Sequence, residues 1–171
     1  MPLLVSALYV AVLGIAAHFI GEAIPTKCFR YDRFPYRTWR WERDGKIYDR
    51  LQIRRWKDRL PDMSRVMPDM VPKRLGKCPT ASDAWRLVVE TCRAEIVHLG
   101  LCLCAPVIYF FWRNWIGVAL AVLTVLCNLP FILIQRYNRP ALIRLAERLE
   151  IREERKHNAS TDPISKYGRG T

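Results

Sequence analysis

The chain has 171 residues, 51% hydrophobic and 26% charged, with a formal net charge of +12 and a mean hydropathy of −0.04. The near-neutral mean is a cancellation between long apolar runs and strongly basic segments, which excludes an ordinary water-soluble domain. Six cysteines form no CxxC pair and no zinc-type spacing with histidine, so reduced thiols are expected, with neither a disulfide framework nor a metal centre.

The first apolar run, residues 3–20, is long enough for a helix crossing about 30 Å of hydrocarbon at ~1.5 Å per residue. No Lys or Arg precedes it, and "GEAIP" after it is a poor signal-peptidase site, so a retained span is expected. Residues 25–93 then hold 18 Lys and Arg against nine Asp and Glu, and residues from Arg136 onward hold nine against five. The positive-inside rule places both segments in the cytosol of a cell-membrane protein and the N-terminus outside.

Within the basic segment, residues 37–43 alternate around Trp39 and Trp41, Asp44-Gly45 is a turn signal, and Ile47, Leu51 and Ile53 follow in matching phase, which predicts a short β-hairpin. "RRWKDRLPD" predicts a short helix carrying Trp56 and Lys57, and residues 63–79 read as a loop held by Pro68, Pro72 and Pro79. Thr80 or Ser82 then caps a helix starting near Ala84 that runs unbroken into a second span over residues 94–112. Arg113 and Asn114 turn the chain between interfacial Trp112 and Trp115 into a third span, residues 115–134, which contains Pro130.

A second break is expected at Asn138-Arg139-Pro140, with Asn138 as N-cap of an amphipathic helix over residues 138–155. Leu142, Leu145, Ala146 and Leu149 supply its apolar stripe, for the membrane surface or the protein. Residues 156–171 read as a disordered tail. The fold class is thus mainly α, an integral membrane protein with three transmembrane helices, a basic cytosolic loop and a C-terminal amphipathic helix.

Chemistry concentrates in "ETCRAEIVHLG", where Glu95 and His98 are i and i+3 and share one helix face. Ionised groups in a bilayer cost about 2.5–3.5 kcal/mol at a helix centre and face a protein interior or wet cavity. One reading pairs Glu95 with Arg93 or a loop arginine and His98 with a carbonyl. The other makes His98 a general base for a hydroxyl, oriented by Glu95 or another carboxylate. A di-iron site needs two ExxH helices, and the sequence offers one. His18 with Glu22 four residues on is a weaker acid–base candidate, since a lone histidine on an apolar helix more often packs. The cluster Asn128, Gln135, Arg136, Tyr137, Asn138 and Arg139 reads either as a topological anchor or as a cradle for phosphate or sugar hydroxyls. Beside membrane spans, the basic aromatic loop fits anionic lipid, an acidic carrier protein or coenzyme A phosphates better than nucleic acid.

The motifs "GEAIPTKCF", "DGKIY", "RRWKDRLPD", "ETCRAEIVH" and "NLPFILIQRYNRP" occur in an order and spacing that resembles the glycosyl-diaponeurosporenoate acyltransferases, over roughly residues 1–150. These are small bacterial membrane proteins associated with the last step of staphyloxanthin-type carotenoid synthesis. The resemblance implies transfer of a fatty acyl group to a sugar hydroxyl of a glycosylated carotenoid acid. It implies a membrane acyltransferase-like domain over residues 1–155, with no cofactor beyond an acyl-CoA or acyl-carrier-protein donor as substrate. On this reading the thioester meets the basic loop, the lipid acceptor lies between the spans, and Glu95 and His98 act at headgroup depth, with Arg93, Trp56, Lys57 and the Asn128–Arg139 cluster binding substrate. The alternative is a membrane scaffold that gathers lipid-synthesis enzymes without turnover.

Overall fold

The computed structural model describes residues 1–60 and 78–161. The proline-held loop expected over residues 63–79 falls almost entirely outside the described residues, as does the tail beyond Thr161. The chain divides into two compact units, one of Met1–Pro61 and Val89–Pro140, the other of Asp62–Val88 and Ala141–Thr171.

Helix α1 spans Pro2–Ala23 and begins with proline in its first turn, where the missing N–H costs nothing. Helix α3 spans Ala81–Cys104, α4 spans Ile108–Trp112 and α5 spans Trp115–Thr161; α2, Ile53–Trp56, is a single turn in the basic segment. The stretches Pro2–Ala23, Ala81–Trp112 and Trp115–Ser160 are each long and apolar enough to cross a membrane. The second expected span is therefore present but interrupted: Pro106 lies in a 3-10 turn, Ala105–Val107, between α3 and α4. There the N–H of Ile108 turns to Ala105 and Pro106 instead of Cys104. The Cys104 carbonyl accepts from the Tyr9 hydroxyl of α1 at 2.9 Å, a bond that matters where no water is available.

In the first unit, α1 meets α3 at Gly21, where a Cβ would stand 2.7 Å from a Val97 methyl, so only glycine permits this approach. Trp112 Nε1 donates to Ser6 Oγ at 2.9 Å and ties α4 to the start of α1. Arg113, with φ of 47°, reverses the chain, and Asn114 Oδ1 then accepts the N–H groups of Ile116 and Gly117 at 3.0 and 3.3 Å as N-cap of α5. Phe29, Tyr36 and Cys92 form a small core with Ile24, Tyr31, Val89 and Ile96 packed around it.

The predicted β-hairpin does not form. Residues Arg40–Leu51 make 3-10 turns broken by positive φ at Arg43 and Gly45, and Gln52 ends the segment with φ of 49°. Asp44-Gly45 signals positive φ, as in a hairpin turn, but Gly45 uses it for contact: a Cβ there would lie 3.3 Å from the Tyr137 carbonyl of α5. Trp39, Trp41 and Leu51 stay exposed while Ile53, in the same phase, is fully buried, so the apparent two-residue alternation does not divide the segment into two faces.

The break expected at Asn138-Arg139-Pro140 is also absent, because α5 continues through Pro130 and Pro140. Asn138 is not an N-cap; its Oδ1 accepts from Lys57 Nζ at 3.0 Å. Packing of Gly45 against the 136–140 turn holds the helix where proline removes an N–H.

The second unit contains the start of α3 and the end of α5. Thr80 and Asp83 form a reciprocal cap, Thr80 Oγ1 accepting from the Asp83 N–H at 3.2 Å and Asp83 Oδ2 from the Thr80 N–H at 3.0 Å, so the helix starts at Ala81, three residues before the expected Ala84. Ala84, Val88 and Ala146 are fully buried, and Glu153 Oε1 accepts the Ala81 N–H at 2.9 Å. Helix α5 stays helical to Thr161, past the point where disorder was expected to begin.

Candidate active site

Two polar clusters in the first unit use the shared face of Glu95 and His98, and α5 supplies partners to both. Glu95, 1% exposed, accepts from Arg136 Nη1 at 2.5 Å and from Arg139 Nη2 in a still shorter contact. Arg136 and Arg139 are i and i+3 on α5, so both reach one carboxylate. Arg139, only 2% exposed, also donates from Nε to Thr91 Oγ1 at 2.9 Å and from Nη1 to the Tyr36 carbonyl at 2.7 Å. Arg136 donates to the carbonyls of Pro35 and Arg37 at 3.2 Å each, and from Nε to Glu42 at 2.7 Å.

Glu42 is the residue that sequence reasoning missed. It is 1% exposed, and it accepts from the Tyr48 hydroxyl at 3.0 Å and the Trp39 N–H at 3.2 Å. Burial, then the Glu42 carboxylate, pushes the Tyr48 phenol up to about 12, so it remains a neutral donor. Its one sequence signal is an acidic residue inside an arginine-rich segment, the expected partner of a buried cation. The arginines therefore do not form an open phosphate cradle, because carboxylates and loop carbonyls occupy their donors.

His98 lies one helical turn from Glu95, about 4.5 Å along the axis, and has a different partner. Its Nδ1 is 2.8 Å from Asn128 Oδ1, and its ring stacks on Phe131 at 4.7 Å with planes 10° apart. Asn128 Nδ2 donates to the Thr124 carbonyl at 2.8 Å, and a carbonyl can only accept. That bond turns the amide so that Oδ1 faces the imidazole, places the proton on Nδ1 and leaves the lone pair on Nε2. An amide, and not Glu95, orients the ring.

Asn128 and Phe131 also line a cavity of about 250 Å³, with Tyr9 and Leu13 of α1, Leu101 of α3 and Thr124 of α5. An apolar crevice of about 190 Å³ between α1 and α3 shares Leu13 and Leu101 with it. The two residues that hold the imidazole thus form part of the wall of a mainly apolar cavity that His98 itself does not line.

The remaining expected site residues are elsewhere. Arg93 pairs with Glu90 at 2.5 Å and Glu22 at 3.4 Å, which gives Glu22 a partner other than His18. His18 packs edge-on against Phe19. Lys57 stands over the Tyr137 ring at 5.3 Å, Trp56 Nε1 donates to the Leu51 carbonyl at 2.9 Å, and Gln135 is buried on α5.

A family model described as glycosyl-4,4'-diaponeurosporenoate acyltransferase matches residues 32–148, which include both polar clusters. Proteins of that name from Staphylococcus aureus strains bovine RF122 / ET3-1, USA300 and COL are each 30% identical over 141 residues, covering 80% of this chain and 82% of theirs. No solved structure matches the chain. With the greater part of its length matched, including the loop, the buried carboxylates and the histidine, the chain belongs to the glycosyl-4,4'-diaponeurosporenoate acyltransferase family.

Proposed function

We propose that this protein is a membrane acyltransferase that moves a fatty acyl group from a cytosolic thioester, on coenzyme A or an acyl carrier protein, to a hydroxyl of a glycosylated carotenoid or related glycolipid. The supporting observation is the orientation of His98: Asn128 fixes its tautomer and Phe131 its plane, and these two residues line a cavity that suits a lipid acceptor. The Nε2 lone pair takes the proton as the hydroxyl oxygen attacks the thioester carbonyl. The C–S bond then breaks, the thiolate leaves, and the imidazolium returns the proton to sulfur, so ester and thiol form from alcohol and thioester. Asn128 positions the base, and Glu95, Arg136 and Arg139 hold the helices and loop around it. The basic charge of residues 25–93 and of the C-terminal segment supports a cytosolic face for both, with the N-terminus outside.

Mass spectrometry of lipids from cells that make the glycosylated acceptor tests this reading. Wild type should yield a species heavier by one fatty acyl group, and His98→Ala, inserted at equal level, should lower it about 100- to 10,000-fold. Equal ester from the variant would remove His98 as base, and no ester from wild type would remove the transferase.

A further inference from the structure

The chain curls at residues 32–40 around an open pocket of about 520 Å³, lined by Asp32, Arg33, Phe34, Arg37, Thr38, Trp39 and Arg40. Its size lies within the range of about 300–1,000 Å³ usual for small-molecule sites. Arg33, Arg37 and Arg40 are exposed, and among the described residues no carboxylate forms an ion pair with any of them. The one acid in the wall, Asp32, is taken by Arg30 at 2.9 Å. Phe34 is 79% exposed and meets Trp39, 49% exposed, edge to face at 6.3 Å. Such side chains on a loop gain nothing from the fold by standing outside it.

The curl is nevertheless fixed from beneath. The carbonyls of Pro35, Tyr36 and Arg37 accept from the guanidinium groups of Arg136 and Arg139, and the Trp39 N–H is held by Glu42. The backbone is thus tied to the buried network while three exposed guanidiniums and two aromatic rings face outward. Three cations suit a group bearing several phosphates, and the rings suit a planar base.

We infer that this pocket binds the phosphorylated nucleotide end of a coenzyme A-type thioester donor, an assignment that rests on the acyl-transfer reading above. The nucleotide stays at the cytosolic curl while the long flexible arm carries the thioester toward His98. A phosphate-rich, ring-bearing ligand uses both halves of the pocket, whereas a phospholipid headgroup uses only the arginines.

Titration of the full chain in neutral detergent with coenzyme A, followed by calorimetry, tests this. Replacing Arg33, Arg37 and Arg40 together by Gln should weaken binding about ten-fold or more. Dephospho-coenzyme A should bind wild type several-fold more weakly than coenzyme A, and Arg54→Gln, an exposed change outside the pocket, should leave affinity unchanged. Equal affinity of the triple variant, or no binding by wild type, overturns the assignment. So does binding confined to anionic phospholipid vesicles that coenzyme A does not displace. Acyl transfer measured in parallel separates the two readings. Transfer with an unchanged KM for acyl-CoA in the triple variant refutes this pocket and keeps the transferase, while pocket-dependent nucleotide binding without transfer keeps the pocket and refutes the transferase.

Discussion

Replacing Glu95 by Gln separates a structural carboxylate from a catalytic one. The substitution keeps the shape and removes the charge, leaving Arg139, 2% exposed, without an anion, while Arg136 retains Glu42. Breaking a buried ion pair by removing one partner costs about 3–5 kcal/mol, because the orphaned charge stays desolvated. For a chain of this size about 2–4 °C of melting temperature accompanies each kcal/mol, so Glu95→Gln should melt about 6–20 °C below wild type in detergent. Adding Arg139→Gln removes the orphan, so the double variant should be less damaged than the two single penalties summed, by about 0.5–3 kcal/mol. Residual activity, normalised to folded protein, should stay within about ten-fold of wild type, since Glu95 bonds to Arg136 and Arg139 while His98 Nδ1 meets Asn128. Strictly additive penalties, or a wild-type melting point with activity abolished, would refute this account.

Gly45→Val should destabilise the protein by about 1–3 kcal/mol, read as a lower melting temperature, because φ of 88° is strained for a β-branched residue and its Cβ meets the Tyr137 carbonyl. Gly45→Asn should lose less, because asparagine tolerates positive φ; equal melting of both variants would count against the φ strain, and wild-type melting of both against the close approach as well. Tyr48 predicts an alkaline limb of stability. Its folded value, about 12, lies above the ordinary phenol value of about 10, so between these values the unfolded chain has lost a proton that the native chain keeps. Its contribution is complete below pH of about 10 and falls as pH rises toward about 12. Melting curves across that window should decline less steeply in Tyr48→Phe than in wild type.

The spans were legible because length and apolarity suffice to define them, and the Thr80 cap and the Arg113-Asn114 turn because their signals are local. The register of Glu95 and His98 followed from helical spacing. Their partners did not, because the sequence carries no measure of which residue on α5 faces which on α3. Asn128 is a polar residue in an apolar run, visible as an oddity, yet only the Thr124 carbonyl shows which end of its amide meets the ring. The hairpin failed because glycine after aspartate signals positive φ, and positive φ serves a close packing contact as well as a turn. Likewise Pro140 signals a helix boundary only where no neighbouring element supports the helix.

The buried arginines show why charge, and not more leucine, occupies this position. Apolar side chains would join α3 to α5 without the cost of desolvating four ions, and such replacements are often neutral or stabilising. They could not serve the loop. The carbonyls of Pro35, Tyr36 and Arg37 are bound by Arg136 and Arg139; that of Tyr36 is buried, and a buried carbonyl left unmatched costs about 1–3 kcal/mol. Two guanidinium forks meet these three acceptors and still reach Glu95 and Glu42, a task for which an ammonium has too few directed donors. The carboxylates then neutralise the donors that the irregular loop requires. The same side chains fix the curl at 32–40 and hold α3 against α5 beside His98, so the outward face of the loop and the imidazole are positioned by one set of contacts.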